Sequence, residues 1–155
     1  MRILAFAIAL GTAAVAQAQA QAQTAAELTA KGEFDVKVAP IAAKDEGVMR
    51  LSIDKVFHGD LTGTSVGQMM ASGGPNEKSG AYVAIENVAG TLGGRKGGFA
   101  LAHRGTMTPA SQQISIVVVP GSGTGDLTGI DGTFEIRVEP GGKHFYTFHY
   151  SLPKR

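Results

Sequence analysis

Downstream of residue 31 the chain alternates apolar and polar residues in short runs separated by glycine-rich breaks. Over residues 32–39, Phe34, Val36 and Val38 alternate with Glu33, Asp35 and Lys37. Over residues 132–139, Phe134, Ile136 and Val138 alternate with Thr133, Glu135 and Arg137. A period of two sends each set to one side of an extended chain, so both runs predict strands with one buried and one wet face. Similar reasoning places six more strands at 48–58, 62–71, 80–89, 98–107, 112–119 and 143–152. The sixth strand in chain order is apolar on both faces near its end, over residues 114–119, which predicts cover on both sides. No later stretch carries a 3.6-residue stripe. The best helical candidate, residues 24–30, is expected only as a short, frayed lead-in.

Glycine sharpens this picture. Of 22 glycines all but Gly11 lie after residue 31, between the runs, where they read as turns. Eight short strands joined in series form an antiparallel meander, and closing the meander into a barrel leaves no exposed edge. The bore of an eight-stranded barrel is either filled by side chains or able to hold one small ligand. One domain over residues 31–153 fits the length. The pentapeptide Gly-Asp-Leu-Thr-Gly occurs at both 59–63 and 125–129. It reads either as the trace of a duplicated half or as convergent turn chemistry, in which glycine supplies unusual φ angles and Asp and Thr bond to nearby backbone.

Residues 1–22 follow a different pattern. Arg2 precedes the apolar run 3–10, and alanines at 14, 16, 18, 20 and 22 offer several A-x-A exits. This describes a cleaved secretory signal whose apolar run is too short to span a bilayer, so a periplasmic or secreted protein without a membrane anchor is expected. With no cysteine in the chain, neither a thiol-linked lipid nor a disulfide is available. Loss of Arg2 turns 14 basic against 13 acidic residues into 13 against 13. A neutral domain lacks the basic surplus that nucleic acid requires, while little net repulsion opposes self-association.

The segments Phe57-His58-Gly59-Asp60-Leu61-Thr62-Gly63-Thr64-Ser65, Tyr82-Val83-Ala84-Ile85-Glu86 and Phe99-Ala100-Leu101-Ala102-His103-Arg104-Gly105-Thr106-Met107 occur in that order. Val119-Pro120-Gly121-Ser122-Gly123-Thr124-Gly125 and His144-Phe145-Tyr146-Thr147-Phe148-His149-Tyr150-Ser151-Leu152-Pro153 follow. Together they resemble a bacterial domain-of-unknown-function family whose fold is similar to the allene oxide cyclase barrel. The resemblance runs from Lys31 to Pro153 and implies an all-β, closed, eight-stranded antiparallel meander barrel. It implies no activity. Allene oxide cyclases rearrange a fatty-acid epoxide in an apolar barrel without a cofactor, but a shared architecture does not transfer function, and no catalytic residue carries over.

Polar residues on otherwise apolar strand faces are the informative ones. Lys55 shares a face with Leu51, Ile53 and Phe57, and His103 with Phe99 and Leu101. Glu86 lies with Tyr82 and Ala84, and His144 with Tyr146, Phe148, Tyr150 and Leu152. If these faces point inward, Lys55, Glu86 and His103 are the candidate acid–base groups. Phe57, Met69, Tyr82, Phe99, His103, His144, Tyr146, Phe148 and Tyr150 are then the candidate ligand-binding lining. Burial shifts such groups toward usable pKa values, yet a structural Lys55–Glu86 pair would look the same in the sequence. No metal or other cofactor is expected, because His144 and His149 fall on opposite faces of one strand and no H-x-H or H-E-x-x-H occurs. Residues 93–98 have two cations among glycines but read as a hairpin tip rather than a phosphate loop, and 121–125 lacks the G-x-S-x-G elbow. Binding of a small apolar molecule leads. A cofactor-free isomerase or cyclase and a self-associating envelope module are the alternatives.

Overall fold

A computed structural model describes residues 26–41, 47–73 and 79–154. The signal-like residues 1–22 lie outside the described residues. The strands are β1 (Glu27–Ile41), β2 (Met49–Gly59), β3 (Leu61–Gly73), β4 (Gly80–Leu92), β5 (Arg95–Thr108), β6 (Ser111–Val118), β7 (Thr124–Gly125), β8 (Asp131–Val138) and β9 (His144–Ser151). No helix occurs among the described residues. Eight long strands form a closed antiparallel barrel in the circular order β1-β2-β3-β4-β5-β6-β8-β9, with β9 returning to β1. The two-residue β7 adds to the outside of this count by pairing with Gly97 and Gly98 of β5. The seam is thinnest between β6 and β8, where Val117 opposite Thr133 is the one registered pair.

Two expectations are corrected. The lead-in is not helical: Glu27 through Ala30 are extended and pair with Ser151 through Phe148 of β9. A weak local propensity loses to a neighbouring strand that pairs with one edge of the segment. The sixth strand is not covered on both sides either, since Val117 is 39% exposed. A barrel is a single curved sheet with one interior, so a strand in it is buried on one face however apolar the other face is.

The barrel has two unlike ends. At one, aromatic rings pack on one another: Phe99 lies on Phe148 at 5.4 Å, Phe134 on Tyr146 at 5.2 Å, and Phe148 on Tyr150 at 5.1 Å. Leu61, Leu92 and Leu127 close this end and are fully buried. Leu61 and Leu127 are the central residues of the two Gly-Asp-Leu-Thr-Gly segments. In both, the following architecture is the same: a glycine with positive φ, Gly59 or Gly125, and then an aspartate whose N–H donates to a carbonyl of the adjoining hairpin, Lys31 O or Lys96 O. The repeat is thus a plug turn used twice. At the other end the inward-facing residues are much less covered, and we call the filled end narrow and the open end wide.

Tyr146 ties the narrow end together. Its Oη accepts a hydrogen bond from Leu61 N at 2.9 Å, and its ring lies over Gly32, which pairs with Tyr146 across the β1–β9 junction. A Cβ at residue 32 would stand 1.9 Å from His58 O and 2.6 Å from Tyr146 Oη. Gly32→Ala is therefore expected to destabilise the fold by about 3 kcal/mol, as forced overpacking does. In thermal unfolding followed by circular dichroism this lowers the midpoint by roughly 10 °C for a domain of this size. Gly73→Ala, where the nearest atom is 3.8 Å away, is the near-silent control. Equal midpoints for the two variants would refute this account of Gly32.

Candidate functional site

Four neighbouring strands each send one polar side chain into the interior at adjoining positions: Lys55 from β2, Ser65 from β3, Glu86 from β4 and His103 from β5. Lys55 is directly opposite Ser65, and Glu86 is directly opposite Gly67, two residues further along β3. A Cβ at residue 67 would come within 2.5 Å of Ile85 O and 2.9 Å of Glu86 Cα, so glycine at this point lets the glutamate backbone approach. All four polar side chains are buried, Glu86 completely.

Glu86 is the hub. Lys55 Nζ donates to its Oε2 at 2.6 Å and Ser65 Oγ donates to its Oε1 at 2.5 Å. His103 Nε2 lies 3.3 Å from the same Oε2, inside ion-pair range but off the line of a hydrogen bond, so that buried nitrogen has no hydrogen-bond partner. Burial pushes the Glu86 carboxyl up. The close approach of His103, the charge and hydrogen bond of Lys55, and the Ser65 hydroxyl outweigh that push and hold it down at about 2. The Lys55 ammonium is further surrounded by aromatic faces, 4.8 Å from the Phe34 ring centre and 5.9 Å from that of Phe57. A carboxyl held this low is ionised throughout the neutral range, which makes it a poor proton donor and a weak base.

The sequence-predicted residues separate into three groups. Phe57, Phe99, Tyr146, Phe148 and Tyr150 belong to the packed aromatic core toward the narrow end. Lys55, Glu86 and His103 do come together. On the wide side of this polar layer stand Met69, Tyr82 and His144, all half-buried. The Tyr82 ring lies across Gly105, where a Cβ would meet Tyr82 Cε1 at 2.0 Å, and partial burial raises its phenol above the ordinary value. His144 stacks obliquely on Phe34, with ring centres 5.1 Å apart. Beyond these, Val38, Met49, Met107, Ile114 and Val138 occupy inward-facing positions yet are 38–56% exposed. They form an apolar rim around the wide end. On β5 the rim residue Met107 is four positions past His103, or about 13 Å of strand.

Ser65 and Phe34 are the site residues that the sequence reading did not single out. Ser65 shares the inward face of β3 with Leu61 and Met69, and a hydroxyl on such a face is the signal that could have found it. An outer trough of about 800 Å³ lies elsewhere, across β1, β8 and β9, and is lined by Lys31, Glu33, Glu135, Arg137 and Phe145 among others. It carries charges of both signs, and Arg137 is already stacked on Phe145 at 4.7 Å.

Replacing Glu86 by glutamine leaves the buried Lys55 ammonium without its counter-charge, and a loss of about 3–5 kcal/mol at neutral pH is expected. Folding lowers the Glu86 pKa from 4.5 to about 2. Its contribution to stability is therefore complete above pH 4.5 and is lost as pH falls from there towards 2. Denaturant unfolding of wild type and Glu86→Gln at pH 7, 4 and 2.5 should show a gap that narrows in acid. A gap constant across that range would mean that the carboxyl is not ionised in the fold.

The comparisons with known proteins agree with this barrel and assign it no activity. No match was found among curated proteins. Residues 30–150 match a family described as "Protein of unknown function (DUF3224)". A crystal structure at 1.84 Å resolution of a protein with unknown function from that family, from Shewanella oneidensis MR-1, is 40% identical to this chain. It covers 83% of this chain and 100% of its own, with a TM-score of 0.78. A family match across most of the chain, and a solved relative with the same barrel, establish that the chain belongs to the DUF3224 family.

Proposed function

We propose that this is an exported protein that binds a small, largely apolar molecule in the wide end of its barrel, above the floor made by Lys55, Glu86 and His103. The exposed inward-facing rim carries this reading. Val38, Met49, Met107, Ile114 and Val138 point into the bore, where a filled barrel would cover them, and all five are apolar. Covering about 200 Å² of such surface stabilises a complex by roughly 5 kcal/mol before the entropy of association is subtracted. Lys55 and Glu86 neutralise each other, so their ion pair presents no net charge to the bore. An uncharged ligand is therefore favoured over an ionic one, whose burial would leave a charge uncompensated. The N-terminal pattern over residues 1–22 supports export.

Proton-transfer chemistry at the same place is the weaker reading. Both Glu86 oxygens are already engaged, and the carboxyl is held at about 2, far from the range in which a general acid or base works near neutrality.

The chain has no tryptophan, so Met107→Trp places a single fluorescent reporter on the rim. Titration with a neutral naphthylamine probe should give saturable, one-to-one energy transfer from that tryptophan. Ile114→Lys, which puts a charge into the exposed apolar rim, should weaken binding tenfold or more. Linear, unsaturable transfer, or equal affinity in the Ile114→Lys background, would sink the proposal. Native mass spectrometry of protein taken from its own exported fraction would identify a co-purifying molecule.

A further inference from the structure

We infer that the junction between β6 and β8 is a strand-addition site, and that it takes an extended peptide of about six residues with apolar side chains at alternate positions. Every other junction of the eight-stranded circle carries at least eight registered pairs. Between β6 and β8 the one registered pair, Val117 opposite Thr133, lies toward the narrow end. From there to the wide end, residues 111–116 of β6 and 134–138 of β8 have no registered partner on the sides that face each other. Backbone N–H and C=O groups along such an edge are a template for another chain. One inward step above the polar layer, exposure follows this seam. Ile53, Ala84 and Ile114 stand at that level, past Lys55, Glu86 and the Ile116 that lies opposite His103. Ile53 and Ala84, on strands registered along both edges, are 6% and 5% exposed, whereas Ile114 is 44% exposed. Val138, across the seam from it, is 56% exposed.

The chemistry of the gap selects a peptide. Natural sheet edges are blunted by charge or proline. The free stretch of β6, Ser111-Gln112-Gln113-Ile114-Ser115-Ile116, has neither, and no glycine weakens it as a strand. Ile114 and Ile116 of β6 and Ile136 and Val138 of β8 face the bore, while Gln113, Ser115, Glu135 and Arg137 face outward. Arg104 stands outward on β5 opposite Ser115, and Arg137 is paired with Glu139. An added strand therefore meets apolar side chains on its inner face and polar groups of both signs on its outer face. That environment calls for alternation in the peptide and sets no requirement for net charge. A small apolar molecule would cover Ile114 and Val138 and leave the backbone groups to water. Another backbone pairs with them, at the ~4.8 Å spacing of a sheet. With one registered pair holding β6 to β8, its entry breaks little of the ladder.

The test titrates the full-length chain into the peptide Thr-Val-Thr-Ile-Thr-Val-amide, labelled with fluorescein at its N-terminus, and reads fluorescence anisotropy. Saturable one-to-one binding is expected. N-methylation of the three threonines keeps every side chain but removes the N–H donors from one edge of the peptide, and should weaken binding roughly tenfold or more. Because the chain has no cysteine, Ser115→Cys combined with Glu135→Cys places its only two thiols across the seam, two residues on from Val117 and Thr133. The oxidised variant, its seam held shut, should lose the peptide, and reduction with dithiothreitol should restore binding. Absence of saturable binding overturns the inference, as do equal affinities of the methylated and unmethylated peptides and an oxidised variant that binds as tightly as the reduced one. The methylation comparison decides the matter even if the disulfide does not form.

Discussion

A carboxylate with no exposed surface is the constraint around which the interior of this barrel is arranged. Glu86 cannot be buried alone, because an isolated charge in an apolar medium costs far more than the domain's whole stability. Lys55, Ser65 and His103 are therefore placed on the three other strands that surround it, each at the position from which it reaches the carboxyl. Gly67 follows from the same need, since any side chain there would occupy the space of the Glu86 backbone. Once satisfied, the cluster specifies register on four adjacent strands at once. A slip of one residue on any of them would turn its polar member outward and strand the others.

The polar layer also divides the barrel. On its narrow side the rings of Phe57, Phe99, Phe134, Tyr146, Phe148 and Tyr150 contact one another, and Tyr146 Oη is fixed by the Leu61 N–H. That half supplies the burial that holds a chain with no disulfide together. On its wide side Ala84, Gly67 and Gly105 are small, Tyr82 lies flat on the wall, and the apolar rim faces solvent. The packed half thus supplies most of the buried apolar surface, whereas the other half leaves its inward-facing rim exposed.

The outer surface shows a second division of labour. The β1, β8 and β9 side carries exposed ion pairs such as Lys143 with Glu33 and Arg137 with Glu139, contacts that contribute little to stability but keep that wall wet. The β3 and β4 side has none of these. Thr62, Thr64, Gln68, Ser72, Asn87 and Thr91 make up half of its outward positions, so uncharged hydroxyl and amide groups keep that wall in contact with water.

Local pattern was enough to fix the class of structure. Two-residue alternation in Phe34-Asp35-Val36 or Phe134-Glu135-Ile136 depends only on which residues follow one another, and it gives strands and faces and sets Lys55, Glu86 and His103 among apolar neighbours on theirs. Glycine breaks gave the turns, including the hairpin tip at Gly93 and Gly94. What the chain could not reveal locally is everything set by partners distant along it. The extension of β1 back to Glu27 exists because β9, more than a hundred residues later, pairs with it. Exposure of Val117 follows from there being one sheet and one interior. Ser65 gained its role only when Glu86 was brought beside it, and Val38 and Val138 are exposed although their alternation is as regular as that of buried Phe34 and Phe134. Alternation tells a side chain which way to point, but only barrel closure decides how much lies in front of it.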